Sequence, residues 1–348
     1  MEHQLILEEK VSLQCERVLD ELPHFARKFI YGIVNQTTPL TRLNYATDLR
    51  QFFTWICEMA EDGELRDAIE LGLEPEDIAK LDEFDIEMFL EWTSNPLNNE
   101  RNWRSGLPGK ARKLATLRSF FKYMYKKKMI SHNIMPNVDM PKQREKEIVR
   151  LESAEVKRML ISALSPPTSM SLRQRVFHEK NKDRDFTILL FFLTTGVRVS
   201  ELVGLDYSDL DLENKCFRVT RKGGKREILY MPNELFDQLR EFCNIGSKRL
   251  NENQPLFVSS QNKRISVRAV QNLVKKYAGL AVPLKNISPH KLRSTFGTNL
   301  YRETGDIYVV ADVLGHRDVN TTKKHYAAMS DEVRKAAAKS VKVFEEND

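Results

Sequence analysis

Cysteine is scarce in this chain. Its four cysteines, Cys15, Cys57, Cys216 and Cys243, are scattered along 348 residues with no short paired spacing. That excludes a disulfide framework and a cysteine zinc site, and it fits a reducing, cytoplasmic setting. There is no apolar run of about 18 residues or more, so no membrane span is expected. The opening Met1-Glu2-His3-Gln4 lacks a basic stretch followed by an apolar one, so no secretion signal is expected. Internal repeats and low-complexity tracts are also missing. Hydrophobic residues make up 41% and charged residues 30%, the balance of a globular chain rather than a disordered one. The length is enough for two separate cores.

Charge is present, and it is unevenly placed. The formal net charge is +6. Residues 61–100 hold 14 acids and 2 bases, a net of −12, while residues 101–150 hold 14 bases and 3 acids, a net of +11. Adjacent blocks of opposite sign suggest one surface turned to a polyanion and another turned away. The plainer reading is a pair of solvated helix faces that happen to segregate.

The pattern predicts a mainly α protein in two parts. Residues 1–145 read as almost wholly helical, with amphipathic segments over 41–59 and 110–128 and a short acidic helix over 85–92. The segment 110–128 carries Leu114, Leu117, Phe120, Phe121 and Met124 on one stripe. Lys110, Lys113, Arg118 and Lys122 are read as a row of cations on the other, suited to tracking a phosphate backbone. Residues 137–150 are charged, poor in apolar side chains and contain Pro141, so they read as an exposed linker. The remainder, 150–348, reads as α+β. A helix begins near Ser153, and 165–182 reads as a flexible connector. A buried helix over 185–195 is stopped by Gly196. Strands are expected at 216–220 and 227–231 around a Gly223-Gly224 turn, with a third short strand at 256–258. Further helices are expected near 267–277, 289–303, 307–314 and 331–343.

This second part contains what a metal-free phosphoryl transfer needs: a nucleophile, cations for the non-bridging oxygens, and a proton donor for the leaving oxygen. In TTGVRVSEL, Arg198 follows a glycine turn; the bland alternative is a surface arginine at a helix end. RKGGKR puts four cations in six residues around a hairpin, where a lysine can donate a proton, although, taken alone, ordinary turn solvation is the better explanation of such a run. In SPHKLRSTF, His290 and Arg293 are three apart, on one helical face. His316 follows a glycine turn, and Tyr326 follows ten residues later. A tyrosine with an ordinary pKa of about 10 is a poor nucleophile, and nearby cations favour its phenolate. Taken singly, a core tyrosine or a capping histidine remains open at each position.

Taken together and in this order, the boxes TTGVRVSELVGL, SPHKLRSTF and LGHRDVNTTKKHY resemble the tyrosine recombinase and phage integrase family. The resemblance covers roughly 149–330, and the helical first part looks like the core-binding domain of single-chain Xer-type members. It implies a helical core-binding domain followed by a catalytic domain with a small antiparallel sheet. It also implies site-specific DNA recombination without a cofactor. Tyr326 would attack a phosphodiester to leave a 3′-phosphotyrosine. Arg198 and Arg293 would clamp the phosphate. Lys222 would act as general acid, with Lys225 as a substitute or a DNA contact. His290 would act as general base or orient the phosphate, and His316 would bond a phosphate oxygen. The family works as a tetramer on two DNA sites, which places 331–343 as a C-terminal helix docking on a neighbour. The interval from His316 to Tyr326 is ten residues, where the family usually has nine; Tyr301 and Tyr308 are the distant alternatives.

Two other functions remain to be weighed. A type IB topoisomerase would use similar chemistry to relax supercoils. A DNA-binding regulator on the same scaffold would have lost the chemistry. The biological role is open between chromosome dimer resolution and mobile-element integration or excision.

Overall fold

The computed structural model describes residues 2–59, 68–69, 72–95, 103–142, 149–165, 170–221, 224–245, 254–316 and 318–319. The chain divides into two units, Met1–Lys146 and Glu147–Asp348.

In the first unit the described elements are helices: α1 (Glu2–Leu19), α2 (His24–Gly32), α3 (Pro39–Glu58), the single turn α4 (Pro75–Ile78), α5 (Glu83–Trp92) and α6 (Leu107–Lys126). Local chemistry sets their starts. Thr38 caps α3, its hydroxyl accepting from Thr41 N–H, and Pro39 occupies the first turn, where its missing N–H costs nothing. Asp82 and Asp85 form a reciprocal capping box on α5. The core is a cluster of phenylalanine rings. Phe25 meets Phe53 edge-on at 5.7 Å between centroids, Phe29 meets Phe120 at 5.5 Å, and Phe52 meets Phe89 at 5.2 Å.

A buried polar cluster in this unit corrects the expected cation row. Lys113 does not face outward. It is 2% exposed, with Nζ donating to Ser105 Oγ at 2.8 Å and lying 3.7 Å from the Asp48 carboxylate. Asp48 is itself 1% exposed and also accepts from Arg112 and Thr116. Burial pushes the Asp48 carboxyl up, against the pull of Arg112, Lys113 and the Thr116 bond. Burial likewise pulls the Lys113 ammonium down, partly opposed by Asp48. On the helix Lys113 is four, seven and eleven residues before Leu117, Phe120 and Met124, so it shares their buried face. A buried carboxylate on α3 compensates its charge there, because neither charge is tolerable alone.

The second unit contains α7 (Ser153–Leu164), α8 (Leu172–Thr195), α9 (Val199–Gly204), strands β1 (Leu210–Asp211), β2 (Cys216–Thr220) and β3 (Arg226–Tyr230), then α10 (Asn233–Ile245), α11 (Val267–Ala281), α12 (Pro289–Thr304) and α13 (Ile307–Leu314). Helix α8 is the spine, and α7, α10 and α12 pack along it. Its Ile188, Leu189, Phe191 and Phe192 are fully buried, so this stretch reads as a continuous apolar run. The sheet is antiparallel in the order β1-β2-β3, with Phe217 opposite Leu229 and Val219 opposite Glu227. Phe217 and Val219 point into the core; Arg218 and Thr220 point out.

Two details differ from the sequence-based expectation. Helix α8 starts at Leu172, so most of the expected connector 165–182 is helical. Ser171 and Gln174 form a capping box that starts it there. The third strand is β1, not 256–258. Pro255 and Val258 make only isolated bridges, to Asp206 and Arg264, because Asp206 and Leu205 reach the segment at single points. None of the described helices is long and apolar enough to cross a membrane.

Candidate active site

Two left-handed glycines set the geometry. Gly196, at φ 62°, ends α8 and turns the chain into Val197 and Arg198. A Cβ on Gly196 would collide with the Phe296 ring and lie 2.9 Å from Leu314 Cδ2, so the turn needs glycine for space as well as for φ. Gly315, at φ 59°, ends α13. The following N–H, that of His316, donates back to Ala311 O at 2.9 Å and closes the helix end. This fixes where His316, half-buried, leaves the helix.

Three arginines converge on that helix end. Arg221 Nη2 donates to Val313 O at 3.0 Å. Arg293 Nη2 donates to Leu314 O, and its Nη1 to Gly196 O at 2.6 Å. Arg198 Nη2 donates to Gly315 O at 3.1 Å. Three consecutive carbonyls, which a helix C-terminus leaves without intrahelical donors, thus receive three guanidiniums, Leu314 O also accepting from Arg221 Nη1 at 3.5 Å. The negative end of the helix dipole favours the same arrangement. Arg293 is 4% exposed and Arg221 6%. The Arg198 side chain keeps 35% of its surface open, the most accessible of the three.

Glu201 binds the cluster together. Its carboxylate, 5% exposed, accepts from Arg198 N–H at 2.8 Å, from Arg198 Nη1 at 2.7 Å and from Arg221 Nη1 at 3.1 Å. On the far side of Arg221, Nε donates to Glu227 Oε2 at 2.5 Å. That hydrogen bond holds the Glu227 carboxyl below the usual carboxylate range. A buried acid between two guanidiniums lets three like charges share a small volume, since each cation's repulsion is offset locally.

The other expected site residues fall as follows. His290 lies in the first turn of α12, exposed and three residues before Arg293. Lys225 is exposed, with Nζ 3.4 Å from Glu227. Lys222, Tyr326 and the segment 331–343 lie outside the described residues. In the first unit, Lys110 pairs with Glu91 at 2.9 Å and Arg118 donates to Val138 O at 2.6 Å, while Lys122 is exposed. Lys113 is buried, as described above. Sequence reasoning misses Glu201, Arg221 and Glu227 as site residues. Glu201 is signalled by its place one helical turn after Arg198, and Arg221 is hidden in a basic run where the neighbouring lysine is the more obvious candidate.

A helical unit with a three-stranded sheet that gathers arginines and a histidine around one helix end has the character of an enzyme that breaks and rejoins DNA strands. Residues 149–332 match the Phage integrase family, and the chain belongs to that family. It is 32% identical to tyrosine recombinase XerC of Caldanaerobacter subterraneus subsp. tengcongensis, over 94% of this chain and 88% of the relative. It is 28% identical to tyrosine recombinase XerS of Streptococcus agalactiae serotype III, over 97% of this chain and all of the relative. In fold it is similar to the XerH site-specific recombinase bound to palindromic difH substrate, with a TM-score of 0.67 and 20% identity, covering 95% of this chain and 88% of that one. The protein is a site-specific recombinase of the tyrosine type. Neither supercoil relaxation nor an inactive regulatory role is favoured.

Proposed function

We propose that the second unit cuts and reseals one strand of duplex DNA at a time through Tyr326. The phenol oxygen attacks phosphorus, the bond to the 5′ oxygen breaks, and a 3′-phosphotyrosine forms with a free 5′-hydroxyl. A 5′-hydroxyl from a second site then reverses the step, so the bond energy is kept and no nucleotide is consumed. Arg198 and Arg293 hold the non-bridging oxygens, and His316 bonds one of them. His290 orients the phosphate or takes the phenol proton. Lys222, or Lys225 in the same turn, protonates the leaving oxygen.

The observation that carries this reading is the convergence of Arg198 and Arg293, from separate helices, on the carbonyls just before His316. A planar guanidinium pairs with two phosphate oxygens, and the open part of Arg198 is available to do so. The unit 1–145 is proposed as the DNA-gripping half, with Lys110, Arg118 and Lys122 near the backbone. Assembly as a tetramer through 331–343, action in the cytoplasm and a Xer-type role in resolving chromosome dimers belong to the same proposal. The relatives named XerC and XerS support that role.

The test is a nicked duplex from which the cleaved end diffuses away, trapping the covalent adduct. The wild type should form the adduct and Tyr326→Phe should not. An adduct that persists in Tyr326→Phe would move the nucleophile elsewhere. Sequencing the DNA retained by the purified protein decides the biological role. A single site near the replication terminus supports dimer resolution, and repeats at the ends of an element overturn it.

A further inference from the structure

Arg221 directly follows strand β2 and stands beside the clamp, with its guanidinium turned inward. It is 6% exposed, and every nitrogen of its guanidinium has a partner. Nε donates to Glu227 Oε2, Nη1 to both oxygens of Glu201 at 3.3 and 3.1 Å, and Nη2 to Val313 O at 3.0 Å. Its main chain closes the hairpin, with Arg221 N–H donating to Lys225 O at 2.7 Å and Gly224 N–H donating to Arg221 O at 3.0 Å. The packing leaves no slack: a Cβ on Gly315 would lie 2.9 Å from Arg221 Cζ and Nε.

Glu201 makes this arrangement consequential. It is a buried carboxylate with two cations to satisfy it, Arg198 and Arg221. Without Arg221, Arg198 becomes the only guanidinium compensating that charge, and a buried charge with half its partners pulls strongly on the remaining one. A clamp drawn toward Glu201 is drawn away from a phosphate.

We infer that Arg221 is a positioning residue: by sharing Glu201 it holds Arg198 at the end of α13 with part of its guanidinium free for the scissile phosphate. The inference rests on the reading of Arg198 as a phosphate clamp. In this reading Arg221 acts on the phosphate only through Arg198.

The experiment uses the full-length protein and a duplex that the wild type selects from a random-sequence pool, nicked to trap the adduct. Arg221→Lys keeps a cation next to Glu201 but cannot span Glu201, Glu227 and Val313 at once. It should slow single-turnover cleavage by about tenfold or more while DNA affinity changes less than about threefold. In an Arg198→Lys background the same change should add less than about threefold, because both residues act through one guanidinium. A duplex with sulfur in place of the bridging 5′ oxygen, whose leaving group needs no protonation, should not restore the rate.

An unchanged cleavage rate, a full multiplicative effect in the Arg198→Lys background, or rescue by the sulfur substrate would each overturn the inference; the last would assign Arg221 to the leaving-group side. If Arg221→Lys does not fold, Glu227→Gln frees the same guanidinium from its exposed side. It should slow cleavage by about threefold, and no slowing counts against the inference. Arg198→Ala separates the two levels. Wild-type cleavage in that variant defeats the clamp itself, whereas loss there with none in Arg221→Lys defeats only the positioning role.

Discussion

Arg198 reaches across 117 positions of sequence to donate to the main-chain oxygen of Gly315. The residue after Gly315 is His316, so this hydrogen bond registers Arg198 directly against the histidine. Arg293 does the same one residue earlier, through Leu314.

The two clamp arginines should not behave alike when removed. Arg293 is buried and donates to two main-chain oxygens; Arg293→Ala takes the guanidinium from Gly196 O and leaves Leu314 O with only the 3.5 Å contact from Arg221 Nη1. That variant should lose roughly 2–4 kcal/mol of stability as well as cleavage. Arg198 is more open, and Glu201 keeps Arg221 when it goes, so Arg198→Ala should lose cleavage at a cost of only about 1–2 kcal/mol. Urea denaturation beside single-turnover cleavage checks both. Equal stability in the two variants contradicts the difference in burial.

Lys113 and Lys122, nine residues apart on α6, should separate folding from binding. Lys113→Met strands the buried Asp48 carboxylate with less compensation and should destabilise the first unit by roughly 2–4 kcal/mol. Lys122→Ala should leave the melting midpoint alone and reduce the salt slope of DNA binding by about 1. A binding titration over a salt series, with the melt as control, gives both answers. A slope unchanged in Lys122→Ala would turn this face of α6 away from DNA.

Gly196→Ala should be one of the costliest single-methyl changes in the protein. The added carbon meets Phe296 and Leu314, and φ is 62°. Strain and overpacking together should cost roughly 2–4 kcal/mol, and Arg293 loses its Gly196 partner geometry. A melting midpoint within error of wild type would show that the turn can relax.

Glu227 carries a pH signature. The Arg221 hydrogen bond lowers its carboxyl below the ordinary 4.5. A carboxyl whose folded value lies below its unfolded value stabilises fully above the unfolded value, and the stabilisation disappears as pH falls through the folded value. The gap in denaturation midpoint between wild type and Glu227→Gln should therefore be constant from neutral pH down to about 5 and close as pH drops below 4.5. A gap that widens in acid would reverse the sign of the interaction.

Much of this architecture is legible in the amino-acid sequence. Apolar spacing marks helix α6, and Gly223-Gly224 marks the hairpin. Short motifs mark Arg198 and Arg293, and the order of those motifs along the chain carries more information than any one of them. What sequence patterns do not reveal is whatever depends on a partner far away in the chain. The spacing of Lys113 to Leu117, Phe120 and Met124 already puts it on the buried face, but the carboxylate that compensates it, Asp48, is on another helix. Glu201 counts as a site residue because Arg221, twenty positions on, shares it. The start of α8 is hidden because its first turns bury almost nothing, so periodicity has no apolar face to report; the Ser171 cap is the only signal.

That uneven helix has a consequence for amide exchange. Leu172, Val176 and Phe177 are exposed, whereas Ile188 to Phe192 are sealed in the core, though one unbroken ladder of main-chain hydrogen bonds joins them. Opening the first turns uncovers no core, so deuterium should enter there on a far shorter timescale than at the far end, where it waits for the whole unit to unfold. A single helix thus spans nearly the full range of local opening free energies in its domain, with His178, its first buried side chain, marking the change.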